Sequence, residues 1–185
     1  MILPIYLYGH PILNQKSQNI SIDYPNLDNL LNNMFETMYN ANGIGISAPQ
    51  IGVMYKIFVI DLSTHAKKDT NCLNFKKVFI NPQIIEKNGN EISIKEGCLS
   101  IPTIHEDVIR NNEVKVKYFN EDFQLQEKIF TNYPARVIQH EYDHLDGILF
   151  TNYISRIRKQ MIRTKLNKIM NRKIEWPYRT IRLFK

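Results

Sequence analysis

The sequence predicts an α+β fold, with antiparallel or mixed β-sheets packed around a central helix and flanked by an N-terminal helix and a basic C-terminal helix. Three observations carry this. Helical periodicity occurs near 25–41, 132–147 and 154–171, separate β-type runs recur between 56 and 130, and Gly, Pro and Asn punctuate the joins. A chain of 185 residues is long enough to bury a core as one domain, here taken as 1–185.

The elements follow in order. The apolar start MILPIYLYGH lacks a basic leader and is broken by Pro4, Gly9 and His10, so it reads as a strand or lead-in segment rather than a signal peptide. Across 25–41, Leu27, Leu30, Leu31, Met34, Phe35 and Met38 recur at steps of three and four, with Asp23 as a cap and Pro25 in the first turn. The glycines and proline of 42–52 exclude regular helix and predict an ordered loop or irregular edge. KIFVIDL (56–62) reads as a buried strand, followed by a polar loop over 63–76. A second strand covers 78–85, with Pro82 near a turn or bulge, and Asn88-Gly89 predicts a tight turn into 91–95. EVKVKYF (113–119) alternates cleanly, turns at 120–122, and pairs back through 125–130.

The next helix has Asn132 as its cap, Pro134 in its first turn and Gly147 at its left-handed end. A last helix spans about 154–171, with Ile154, Ile157, Met161, Leu166 and Ile169 as its apolar stripe and Lys and Arg elsewhere. The tail 172–185 reads as irregular, or as a short strand after Pro177.

Composition narrows the function classes. Hydrophobic residues make up 43% and charged residues 23%, as in a globular protein, and no apolar run approaches the roughly 20 residues needed to span a bilayer. A cytoplasmic location without membrane contact is the expectation. Two cysteines, Cys72 and Cys98, argue against a disulfide framework. The net charge of +6 is uneven: residues 155–185 hold eleven Lys or Arg against Glu175, while the rest of the chain is net acidic. Charge alone therefore suggests either a polyanion contact or a solvated helix face.

The chemistry lies in His140-Glu141-Tyr142-Asp143-His144. On a helix, imidazoles at i and i+4 share one face about 5–6 Å apart and can chelate one ion. Glu141, one step round, can reach a water on that ion without being a ligand. Such an ion lowers a water's pKa toward 7, and a carboxylate can take the proton. The central helix of the predicted fold is then a metal-binding helix. A metallopeptidase would need a third ligand further along. Phe150 stands where a third histidine would fall, and Glu175 is the only acid after Asp146. Cys98, in EGCLSIP, is a better third ligand, because one thiolate and two imidazoles leave a corner open. Cys72 reads as a small buried apolar residue.

Three segments then act together. GIGISAPQ (43–50), EGCLSIP (96–102) and QHEYDHLDG (139–147) resemble, in order, the signature motifs of peptide deformylases. The similarity extends over nearly the whole chain to about residue 171. It implies a metal-dependent hydrolase that removes the formyl group from N-formylmethionine on newly made polypeptides. It implies one divalent ion on Cys98, His140 and His144, iron(II) in cells, with zinc or nickel forms known for the family. It implies Glu141 as acid/base, and Gln50 with the backbone N–H of Leu99 as donors to the reacting oxygen. The substrate methionine is expected against Ile44, Val137 and Tyr133, with Gly45 offering backbone groups to the peptide. Glu96, held by Arg110, is expected to orient an imidazole, and Asp143 to face solvent or a local partner. The basic last helix suits a ribosome contact. Ser47 departs from the alanine common in the family, and Asn132-Tyr133-Pro134 from a glycine and aliphatic residues. Besides the deformylase, a metallopeptidase and a non-enzymatic RNA- or ribosome-binding protein stay open at this point.

Overall fold

A computed structural model describes residues 1–67, 69–171 and 175–183. The observed order is β1 (Ile5–Tyr6), α1 (Leu27–Asn40), β2 (Gly45–Ser47), β3 (Ile57–Asp61), β4 (Lys76–Cys98), β5 (Ile101–Phe119), β6 (Leu125–Thr131), α2 (Asn132–Leu145), α3 (Arg156–Met170) and β7 (Thr180–Ile181). Strands β2 to β6 form one antiparallel sheet in sequence order, and β1 pairs with β7 in parallel. The α+β expectation holds.

Period-two patterning explains how the sheet feeds separate cores. Ile57 and Val59 of β3 pack with Leu31, Met34 and Met38 of α1, while the alternate Phe58 and Ile60 pack with Val137 and Ile138 of α2. Phe58 stacks on Phe79, ring centroids 4.6 Å apart. A third cluster joins Ile162, Leu166 and Ile169 of α3 to Leu7, Ile101, Ile104 and Phe150. Fully burying a side chain of this size contributes about 1.5–3 kcal/mol.

Several boundaries differ from expectation. Asp23 does not cap α1. The cap position is Asn26, in the left-handed region at φ 58° with no side-chain cap bond, so Asp23 lies too far upstream. Segment 42–52 is more regular than its glycines suggest. Gly45, Ile46 and Ser47 pair with Ile60, Val59 and Phe58 to form the edge strand, and a single turn over Ala48–Ile51 ends at Gly52. Asn88-Gly89 makes no hairpin. β4 runs straight through it, the pairing steps from Asn88↔Glu113 to Glu91↔Asn111, and Gly89 takes φ 71° in the bulge. A second irregularity, between Ile80 and Gln83, brackets Pro82 as expected. The true hairpin lies at the Leu99-Ser100 turn, where Cys98 pairs with Ile101.

Two helix details also differ. Asn132 is the first residue of α2 with φ 56°, and Thr131 occupies the cap position without a side-chain bond. On α3, Ile157 and Met161 are 72% and 64% exposed, and Ile162 is buried instead. At 100° per residue Ile157 lies on the side opposite Ile162, so the inward stripe runs through 162, 166 and 169. The short tail strand anticipated after Pro177 is β7; residues 172–174, 184 and 185 of that tail fall outside the described residues.

Candidate metal centre and active site

Helix α2 positions the site. Pro134 sits in its first turn, where no intrahelical N–H is needed. Gly147 ends it at φ 72°, and a Cβ there would come within 2.6 Å of the Asn14 backbone carbon. Between these ends, His140 and His144 lie one turn apart with ring centroids 5.2 Å apart.

Cys98, from the end of β4, completes the cluster. Its Sγ is 3.3 Å from His144 Nε2, and the ligand atoms of Cys98, His140 and His144 all lie within 4.8 Å of one another. Sulfur and nitrogen donors at ordinary zinc-type distances around a tetrahedral ion are about 3.5 Å apart, so the spacing fits one ion. The ring chemistry fits too. The Nδ1–H of His140 donates to Glu96 at 3.0 Å, leaving its Nε2 lone pair for a ligand. The Nδ1 of His144 is buried and has no hydrogen-bond partner among the described residues. Burial, the largest cause, holds His144 well below the usual imidazole range and therefore neutral.

Behind His140 lies a buried charge network. Glu96 accepts from Arg110 Nε at 2.7 Å and Nη2 at 3.0 Å, from Arg136 Nη1 at 2.9 Å, and from His140. Burial pushes Glu96 upward, but the hydrogen bonds from His140 and Arg110 outweigh it and hold the carboxyl well below its ordinary range. Arg110 extends to Asp143 Oδ2 at 2.6 Å, and the Tyr153 hydroxyl donates to Asp143 Oδ1 at 3.0 Å. Asp143 is therefore buried and ion-paired, not solvent-facing, because its position one turn from His140 turns it toward Arg110.

Glu141 is buried on the other flank. Burial raises its carboxyl above the ordinary range, against the lowering pull of His140 and Ser47. The Ser47 hydroxyl lies 2.7 Å from Glu141 Oε2 and 2.8 Å from the Glu141 carbonyl oxygen. The Ser47 N–H donates to Gln50 Oε1 at 2.9 Å, which turns the Gln50 amide nitrogen toward Ser100 Oγ at 3.1 Å and Cys98 Sγ at 3.5 Å. Gly45 is required by closeness: a Cβ there would sit 2.5 Å from Glu141 Oε1.

Of these groups, Gly45, Gln50, Glu96, Cys98, His140 and Glu141 border a cavity of about 490 Å³. Ile44, Gly45, Tyr133 and Val137 line it, as do Gln50, Leu99 and Glu141. Arg110 does not line it and lies behind, paired with Glu96 and Asp143. Sequence reasoning missed Arg136, Ser100, His65 and the tail residues Trp176, Pro177 and Tyr178. Arg136 had a usable signal, since it precedes His140 by four residues and shares its helix face. His65 stacks on Tyr133 with centroids 5.1 Å apart, a contact between distant segments that no local pattern encodes.

A thiol and two imidazoles beside a buried glutamate, on an α+β frame, define the class: a metal-dependent hydrolase. The polypeptide deformylase family model matches residues 2–160. The chain belongs to that family. It is 45% identical to a peptide deformylase of Christiangramia forsetii, covering 97% of this chain and 95% of that one. It is 46% identical to that of Flavobacterium johnsoniae over the same shares. Among solved structures, a Plasmodium falciparum peptide deformylase superposes with a TM-score of 0.82 at 34% identity, covering 91% of this chain and 95% of that chain. The Thermotoga maritima enzyme gives a TM-score of 0.76 at 35% identity, covering 84% and 99%. The chain is accordingly a metal-dependent enzyme that removes the formyl group from the N-terminal methionine of new polypeptides. Among the described residues no helix is long and apolar enough to cross a membrane.

Proposed function

We propose that Cys98, His140 and His144 hold one divalent ion and that Glu141 is the acid/base of deformylation. The observation that carries this is the convergence of three ligand atoms within 4.8 Å beside the buried Glu141. A bound ion supplies Lewis acidity, polarising a carbonyl and lowering a water's pKa toward 7. Glu141 takes a proton from the attacking water, whose oxygen bonds to the formyl carbon. The Gln50 amide and the Leu99 N–H donate to the oxygen on which charge develops. Glu141 then protonates the amine nitrogen as its bond to carbon breaks, and formate leaves. Ile44, Val137 and Tyr133 cradle the methionine side chain, and Gly45 offers its backbone to the peptide. Glu96, fixed by Arg110 and Arg136, orients His140.

Iron(II) is the proposed ion in cells, with zinc or nickel in isolated protein, since thiolate and imidazole suit several first-row metals. Metal analysis of protein purified without oxygen tests this. The proposed location is the cytoplasm, and the proposed second partner is the ribosome, met by the exposed cations of α3. Support for a hydrolase of formyl groups over a metallopeptidase comes from Phe150, a core residue stacked on His140, and from Glu175, which is exposed.

The test is formate release from formyl-Met-Ala-Ser. Glu141→Ala is expected to keep the metal and lose about 10²–10⁴ in turnover. His144→Ala is expected to lose both metal and turnover. Full turnover in Glu141→Ala, or cleavage of internal peptide bonds, would overturn the reading.

A further inference from the structure

The tail lies beyond the stretch matched by the family model, which ends at residue 160, yet it reaches the centre of the site. β7 pairs with β1 through Ile5↔Thr180 and Tyr6↔Ile181. That pairing is fastened by Ile5 N–H to Arg179 O and Leu7 N–H to Ile181 O, both 2.9 Å. Just before this anchor, Trp176, Pro177 and Tyr178 line the same cavity as Cys98 and Glu141.

The Tyr178 hydroxyl donates to the carbonyl oxygen of Leu99 at 2.8 Å. The turn it grips is a two-residue hairpin immediately after the thiol ligand. Its other handles are already taken: Ser100 O accepts from Tyr8 N–H at 2.8 Å, and Ser100 Oγ accepts from Gln50 at 3.1 Å. A tight turn can rock as a unit unless each of its polar groups is held, and a donor displaced by about 1 Å loses much of its effect on a transition state.

We propose that Tyr178 is a positioning residue for deformylation: by holding the Leu99 carbonyl it fixes the Leu99-Ser100 turn, and with it the direction of the Leu99 N–H offered to the reacting oxygen. The tail is thus a working part of the site. The inference rests on the reading of Leu99 given above.

The experiment compares the parent, Tyr178→Phe and Arg179→Ala in the zinc-loaded full chain. Parent turnover of formyl-Met-Ala-Ser is measured first, and its absence would sink the deformylase reading and this inference together. With parent turnover in hand, Tyr178→Phe keeps the ring in the wall and removes only the hydroxyl. Its kcat is expected to fall roughly tenfold, less than the direct loss of an oxyanion donor. KM, zinc content and Tm should stay near the parent values, and Arg179→Ala should behave as the parent. A second readout needs no turnover: the Leu99 backbone amide resonance should move in Tyr178→Phe and the Gly45 amide should not. A kcat within twofold of the parent, an unmoved Leu99 amide, or a fall in Tm and zinc content that tracks the kcat loss would overturn the assignment.

Discussion

Helices α2 and α3 are nearly equal in length, 14 and 15 residues, yet they spend their polar residues in opposite ways. α2 buries Arg136, Gln139, Glu141, Asp143 and His144, whereas α3 buries only Ile162, Leu166 and Ile169. Nearly every buried polar group on α2 meets a named partner, as burial of charge demands. On α3 the cations stand in solvent, and Arg158, paired with Glu106 at 2.7 Å, is the one with an acid partner among the described residues. A polar residue thus carries different information on the two helices. On α2 it is held in one geometry and can do chemistry; on α3 it supplies charge without a fixed position.

The largest effect expected on this contrast comes from Arg110→Leu. It strips Glu96 and Asp143 of their shared cation in a site where both are buried, and breaking such a pair costs about 3–5 kcal/mol. Urea unfolding of the metal-free chain measures the loss. The pH dependence has a definite sign. The folded Glu96 carboxyl is held below its ordinary range, so its contribution is present at neutral pH and lost as pH falls through the folded value. In Arg110→Leu that depression shrinks, and acid unfolding should begin at a higher pH than in the parent. Stability equal to the parent's would mean that the network on α2 is no more consequential than the charges on α3.

The same contrast explains what was legible in the sequence. The convergence of His140 and His144, the proposed ligands on α2, was legible because a helix converts their spacing directly into distance. Cys98 was legible because three motifs together resemble one family. Asp143 was misjudged because its partner, Arg110, is 33 residues away and lies in the first part of β5, residues 101–112, that no pattern had marked. The hairpin expected at Asn88-Gly89 failed for a related reason. Local turn chemistry was right in kind, since Gly89 is left-handed, but long-range pairing across Asn88↔Glu113 and Glu91↔Asn111 absorbed it as a bulge. The tail's part in the site was illegible, because Tyr178 and Leu99 meet only in three dimensions.

Gly45→Ala sharpens the comparison from the side of β2. The new Cβ would fall 2.5 Å from Glu141 Oε1, so the carboxylate must shift. A displacement of that order costs about 10² in turnover, while Cys98, His140 and His144 should still bind metal at full stoichiometry. Loss of metal instead would show that Gly45 supports the ligands rather than the acid/base. Ser47→Ala is milder. It removes the hydroxyl next to Glu141 and should cost about 0.5–1.5 kcal/mol in stability, with a few-fold loss in kcat, read by thermal unfolding and formate release.

The smallest effect on the enzyme itself is expected from α3. Lys159 and Arg163 are exposed and have no acid partner among the described residues, so Lys159→Glu with Arg163→Glu should change stability by less than about 0.5 kcal/mol. Formate release from formyl-Met-Ala-Ser should be unchanged, because neither side chain lines the cavity. Ribosome association, measured by co-sedimentation, should weaken sharply, and the parent's binding should fall steeply with added salt as phosphate contacts are screened. An undiminished, salt-insensitive association would reduce α3 to a solvated helix face. A loss of peptide turnover would be more disruptive, because charges in water would then be acting on α2 through the third core cluster, and the division drawn between the two helices would fail.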